Sequence, residues 1–373
     1  KEVLLFLYAI IKKDFMLSYN LALFTQGTAF MYLFIASSYF IVHRKERLKG
    51  LVGFILLFWL LQHVQDLIPI LFNMTLTTAD MHMAAIIDMT AVPTCTFILI
   101  ELIRPGWVTW KRIAYHEFPF VLLIIIFALT SSDVVYHISL IFVFLYSFSV
   151  AIFLIKNIPL YHRSLKEQYS FTENLDVRWL WNILIFFMIF LGIWAYSFMA
   201  SDIWIDVFYY VGSSLIWMTI CYFISKHQIA LKLTSDSEIL NKVSLPIAEH
   251  AEVEQRQQYN FANSLYKLFE DDKLYLNPKL TLSDVSQELC TNRTYLSEYI
   301  NNVLNTCFFD FVNEYRLEHA SKLLKSEPAL TLEQIAEESG FNSLSTFRRS
   351  FSKKYECTPH NYRKQQKDIS IEP

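Results

Sequence analysis

Residues 331–355 read Thr-Leu-Glu-Gln-Ile-Ala-Glu-Glu-Ser-Gly-Phe-Asn-Ser-Leu-Ser-Thr-Phe-Arg-Arg-Ser-Phe-Ser-Lys-Lys-Tyr. The stretch divides into a short helix over Leu332–Glu338, a turn at Ser339-Gly-Phe-Asn-Ser and a second helix over Leu344–Tyr355. Short helix, tight turn, second helix is the helix-turn-helix plan. Phe347 and Phe351 fall on the face that points into a core, leaving Leu344, Ser345 and Arg348 on the outer face.

A similar unit precedes it. Leu282–Cys290 reads as a short helix, Thr291-Asn-Arg as a turn and Thr294–Leu304 as a second helix, with Leu296 and Ile300 inward. Thr281-Leu-Ser-Asp opens this unit, its hydroxyl supplying the cap. Between the units, Phe308, Val312, Tyr315, Leu317, Ala320, Leu323 and Leu324 suit one long buried helix over Phe308–Ser326. Farther upstream, Phe261, Leu265, Leu268 and Phe269 form an apolar stripe that ends before Pro278. The reading is an all-helical domain over 255–366, followed by a tail at 367–373.

Three runs then stand in order and in register: Arg316-Leu-x-x-Ala320-x-x-Leu323-Leu324, Ile335-Ala336-x-x-x-Gly340-Phe341-x-Ser343-x-Ser345-x-Phe347-x-Arg349-x-Phe351, and Thr358-Pro359-x-x-Tyr362-Arg363. In these residues the chain resembles the AraC/XylS family over about residues 258–366. The resemblance implies a double helix-turn-helix DNA-binding domain. Its two second helices would enter successive major-groove segments on one DNA face, about one helical turn or ~34 Å apart. Three residues depart from the family pattern: Glu356 stands where Gly usually lies two positions before Thr-Pro, and Asn301-Asn302 replaces basic residues ending the first recognition helix.

The chemistry of these positions points the same way. The net charge is −3, so any basic surface must be local. Arg348, Arg349, Lys353, Lys354, Arg363, Lys364 and Lys367 crowd the second unit and its tail, against Glu356 and Asp368. Elsewhere such a cluster is an ordinary solvated face; on and behind a second helix it marks phosphate contacts to double-stranded DNA. The base-reading candidates are Arg293, Thr294, Ser297 and Glu298 in the first unit, and Leu344, Ser345 and Arg348, with Ser343 beside them, in the second. Arg pairs bidentately with guanine, Glu accepts from cytosine, and Ser or Leu touches a base edge or a thymine methyl.

Before residue 225 the composition inverts. Hydrophobic residues reach 54% of the chain and charged residues only 18%, against about 25% charged in soluble domains, and the apolar surplus lies in this part. Seven segments approach the roughly 20 apolar residues that a spanning helix needs: Tyr19–Val42, Leu51–Phe72, His82–Ile103, Ala114–Thr130, Val134–Ile155, Trp179–Met199 and Ile203–Ile224. Lys and Arg cluster after the first, third, fifth and seventh, while the loops at Asp80, Asp133 and Asp202 hold none. That alternation places the N-terminus outside and residues after 225 in the cytoplasm, in the inner membrane of a bacterium. The stretch 1–18 reads as a separate outer segment, Met16 as a candidate natural start, and 225–254 as a polar connector. A rigid connector would transmit helix movement; a flexible one would only tether. Pro69, Pro93 and Pro119 are expected to kink their helices.

Ionisable groups inside spans are costly and mark candidate sites. Asp66 and Asp88 share a depth of roughly 10 Å below the outer face, and His63 lies in the same span as Asp66. His137, Trp194, Tyr196, Asp206 and Tyr209 lie in the same outer third. They line either an outward pocket for a small ligand or a buried polar network tying helices together. The five cysteines form no C-x-x-C pair and read as reduced packing residues. With 7 Gly and no H-E-x-x-H, G-x-S-x-G or phosphate loop, no catalytic residue, metal or cofactor is expected. The partners expected are DNA, membrane lipid, a small ligand and a second copy of the chain. A transporter or channel with a regulatory helix-turn-helix module is the competing reading; it calls for an internal repeat that the sequence does not show.

Overall fold

The structure, a computed structural model, describes residues 2–72, 74–173, 175–200, 203–226 and 259–369. The side chains of 2–16, 18, 66, 70, 71, 197–200, 203, 206 and 366–369 lie outside that description, as does the connector from residue 227 onward. Among the described residues the regular structure is helical, apart from one antiparallel bridge between Tyr169 and Thr281. The chain forms two compact units: Lys1–Pro159 with Val177–Ser237, and Leu160–Asp176 with Glu238–Pro373.

The first unit holds α1 (Glu2–Val42), α2 (Arg47–Leu71), α3 (Thr78–Asp88), α4 (Ala91–Ile103), α5 (Trp110–Thr130), most of α6 (Asp133–Gln168), α7 (Leu180–Ala200) and α8 (Ile203–Lys226). The stretch read as a separate outer segment is the beginning of α1. Among the described residues, six helical stretches are long and apolar enough to cross a membrane, and Leu180–Tyr196 is a shorter apolar helix. Pro69, Pro119 and Pro159 lie within α2, α5 and α6.

The expected third span is broken at Met89–Thr90 into α3 and α4. Pro93 has no N–H to return to the Met89 region, so the chain tightens and Val92 N donates to Met89 O at 3.1 Å. Gln62 of α2 reaches the break, donating to Ile87 O at 3.1 Å and Thr90 Oγ1 at 2.9 Å. Ile87 O also accepts from Thr90 N and Thr90 Oγ1, at 3.1 and 2.7 Å, so the polar groups at the break are paired within the apolar interior. At the far end of α4, buried Glu101 accepts from Arg47 Nε, Gly106 N and Val108 N at 2.8, 2.8 and 2.9 Å.

The second unit contains residues 160–176, α9 (Ala262–Glu270), a 3-10 turn (Leu274–Leu276), α10 (Leu282–Glu288), α11 (Arg293–Glu298), a π-helical turn (Tyr299–Val303), α12 (Phe308–Ser326), α13 (Leu332–Glu338), α14 (Leu344–Tyr355) and α15 (Pro359–Ile369). The helix expected over Thr294–Leu304 thus changes winding at Tyr299. Thr281 and Thr331 open α10 and α13 with capping boxes to Asp284 and Gln334.

Helix α12 serves two cores. Its first half gives Phe308, Phe311 and Val312 to a cluster with Phe269, Leu282, Val285, Leu296 and Ile300. Its second half gives Leu317, Ala320 and Leu324 to a cluster with Ile335, Ala336, Phe347 and Phe351. Between the two lies Arg316, 1% exposed, donating to Tyr275 O, Asn277 O, Ser170 O and Ser170 Oγ at 2.8, 2.6, 3.0 and 3.0 Å. Burial lowers its pKa to about 10, partly offset by the Glu173 charge.

Candidate functional site

Local chemistry positions α14. Ser343 has extended backbone at the N-cap and its Oγ accepts from Thr346 N at 3.2 Å. Gly340 holds the preceding turn at φ +78°, where a Cβ would stand 2.6 Å from Tyr275 O. Phe347 and Phe351 are fully buried, with Phe347 against Phe341 at 5.3 Å and Phe351 against Tyr362 at the same separation. The opposite face is thereby fixed outward: Ser345, Arg348, Arg349 and Lys353 are exposed, and Ser343 and Leu344 half-buried.

Helix α11 is set in the same manner. Asn292 Oδ1 accepts from Thr294 N at 2.8 Å, and Leu296 and Ile300 are buried. Thr294 and Glu298 are exposed; Arg293 and Ser297 are half-buried, and Ser297 Oγ accepts from Asn301 Nδ2 at 3.2 Å. Lys364 is exposed. Arg363 is half-buried, and its Nε and Nη2 have no hydrogen-bond partner among the described residues. Lys354 is engaged inside the unit, pairing with Glu314 at 2.5 Å and Glu318 at 3.8 Å on α12.

One acidic side chain reaches α14 that sequence reasoning passed over. Glu173 Oε1 accepts from Ser343 Oγ at 2.9 Å, and Oε2 from Asn342 Nδ2 at 3.5 Å. Burial pushes the Glu173 carboxyl up, but hydrogen bonds from Thr346, its own backbone, Ser343 and Asn342 outweigh it and the net shift is down. Residue 173 is 170 positions from Ser343, so no local pattern announces the contact.

The first unit contains a cavity of about 180 Å³ lined by Trp59, Gln62, His63, Asp88, Trp194, Tyr209 and Trp217 among others. Of the eight residues grouped by depth in the sequence, the structure brings together His63, Asp88, Trp194 and Tyr209. His137 and Tyr196 are exposed and stand away from the cavity lining, and the Asp66 and Asp206 side chains are outside the described residues. His63 Nδ1 lies 3.0 Å from Trp59 O, and Trp59 packs edge-on against Trp217 at 5.1 Å. Sequence reasoning also missed Glu117 in α5, whose Oε1 is buried without a hydrogen-bond partner among the described residues.

Residues 285–365 match the model of a helix-turn-helix domain family. The chain is 29% identical over 113 residues to an uncharacterised helix-turn-helix-type transcriptional regulator, YtdP, of Bacillus subtilis, covering 29% of this chain and 14% of that protein. It is 32% identical over 112 residues to another, YijO, of Escherichia coli, covering 29% of this chain and 39% of the relative. A crystal structure of the C-terminal domain of the two-component response regulator yesN from Fusobacterium nucleatum is similar at 30% identity and a TM-score of 0.26, covering 28% of this chain and 98% of that one. The chain therefore spans well under half the length of both curated relatives.

Proposed function

We propose that the protein is a membrane-anchored transcription regulator that binds DNA through two helix-turn-helix pairs, α10–α11 and α13–α14, joined by α12. The observation that carries this reading is the division of α14. Fully buried Phe347 and Phe351 hold one face in the core, and Ser345, Arg348 and Arg349 are left exposed for base edges and phosphates. The match of residues 285–365 to a helix-turn-helix family supports it. Membrane anchoring is supported by the long apolar helices and by their outward surfaces, where Leu129, Val134 and Leu145 are 81%, 66% and 64% exposed. Apolar side chains in continuous outward bands suit lipid and not water.

The cavity bounded by Asp88, His63, Trp194 and Tyr209 is read as the signal site, taking a small ligand from the outer side. Selection of binding sequences from random duplex DNA, using the full chain in lipid nanodiscs, tests the DNA assignment. Arg348→Ala is expected to relax base preference at one position, costing roughly 1–3 kcal/mol there. An unchanged ranking of sites would remove Arg348 from the reading face. For the signal site, Asp88→Asn is expected to leave abundance and DNA binding intact while fixing reporter output in one state. Normal output at normal abundance would contradict the sensing role.

A further inference from the structure

The stretch that follows α6 is built into the second unit. Tyr169 is bridged to Thr281, and Ser170 donates from its N–H and its Oγ to Leu280 O, at 3.1 and 2.7 Å. Arg316 clasps Ser170 from the other side, with Nη1 on its carbonyl and Nη2 on its Oγ. Three residues on, the half-buried Glu173 carboxylate accepts from Ser343 and Asn342 at the start of α14.

We propose that residues 169–173 are a resident antagonist of DNA binding, in which the Glu173 carboxylate holds the place at the start of α14 that a DNA phosphate would take. This rests on the DNA-binding reading above and adds its control. Two features of the site argue for it. The N-terminus of a 12-residue helix favours an anion, and the second helix of a helix-turn-helix meets DNA through its N-terminal residues. The Ser343 hydroxyl has one proton, now given to Glu173, so it cannot also serve a phosphate oxygen. A fixed carboxylate at that point would also repel the phosphate it excludes.

The connectivity makes the antagonist responsive. The segment continues α6 on one side and leads to α7 on the other, and both helices line the cavity, with Ser147 and Trp194 respectively. A ligand that shifts α6 against α7 pulls on residues 169–173 directly. The connector after α8 then needs only to tether.

The test uses the full chain in nanodiscs of phosphatidylethanolamine and phosphatidylglycerol, with random-sequence duplex DNA as the probe. Glu173→Ala is expected to tighten DNA binding about tenfold or more, the scale of one charged hydrogen bond. Glu167→Ala removes a charge of the same sign that pairs with Arg163, and is expected to change affinity by about twofold or less. Equal effects of the two, or no tightening by Glu173→Ala, overturn the proposal. A second variant locks the segment: Tyr169→Cys with Thr281→Cys, opposed across the antiparallel bridge, in a chain with Cys290, Cys307 and Cys357 changed to Ser. Its oxidised form is expected to bind DNA at least about tenfold more weakly than its reduced form, and equal binding overturns the proposal. If no form binds DNA, the DNA-binding reading itself falls and takes this one with it. A chain that binds DNA but ignores both changes overturns the antagonist alone.

Discussion

Replacing Arg316 probes the joint on which the second unit is built. Its guanidinium satisfies three backbone carbonyls from two stretches, Tyr275 and Asn277 in one and Ser170 in the other, and the Ser170 hydroxyl, with almost no solvent contact. Arg316→Ala leaves the Tyr275 and Ser170 carbonyls without this donor, at about 1–3 kcal/mol for each buried group, while Asn277 O keeps its bond from Leu280 N. Some are reached by water entering the vacated volume, so the expected loss is ~3–5 kcal/mol rather than the full sum. Arg316→Lys keeps the charge but cannot span four acceptors with one ammonium, and is expected to lose roughly half as much. All 8 Trp lie between Trp59 and Trp217, so tryptophan fluorescence is blind to this unit. Pulse proteolysis across a urea series reads it instead. With a slope of about 1–3 kcal/mol per molar, Arg316→Ala should lower the midpoint by more than ~1 M. An unchanged midpoint, or equal midpoints for the Lys and Ala variants, would refute the reasoning.

Three further outcomes follow from single residues. Gly340→Ala puts a Cβ 2.6 Å from Tyr275 O at a positive φ, and is expected to destabilise the unit by about 2 kcal/mol or more in the same proteolysis series. Glu356 closes α14 at φ +55°, a left-handed position that glycine adopts without strain, so Glu356→Gly is expected to raise stability by about 0.5–1 kcal/mol; a fall would contradict that cause. A reporter active only outside the cytoplasm should work when fused near Asp80 or Asp133 and fail near Lys49, and the reverse pattern would invert the orientation.

The parts of the fold legible in the sequence are those fixed by local periodicity and capping. Phe308–Ser326, Leu332–Glu338 and Leu344–Tyr355 have the bounds read from their apolar spacing and turn residues. The break at Met89–Thr90 was half visible: Pro93 signalled strain, but the Gln62 side chain that completes the break comes from another helix. His63, Asp88, Trp194 and Tyr209 line one cavity, whereas His137 and Tyr196 are exposed, because a count of depth along a helix carries no rotational phase. The pairing of Lys354 with Glu314 and Glu318 is not legible in the local sequence, since the partners are 40 and 36 residues away. The docking of residues 169–173 was invisible for the same reason, since Ser170 and Arg316 are separated by 146 positions.

The salt dependence of DNA binding by the full chain in nanodiscs tests the central claim most directly. On the proposed reading, exposed Arg349, Lys353 and Lys364 would each neutralise a phosphate at a log–log slope of about −0.9, so the account predicts a slope of about −3. Lys364→Ala should reduce that slope by about 1 and weaken all sequences alike. Binding that is absent at low salt, or that is flat across the salt range, would contradict the account.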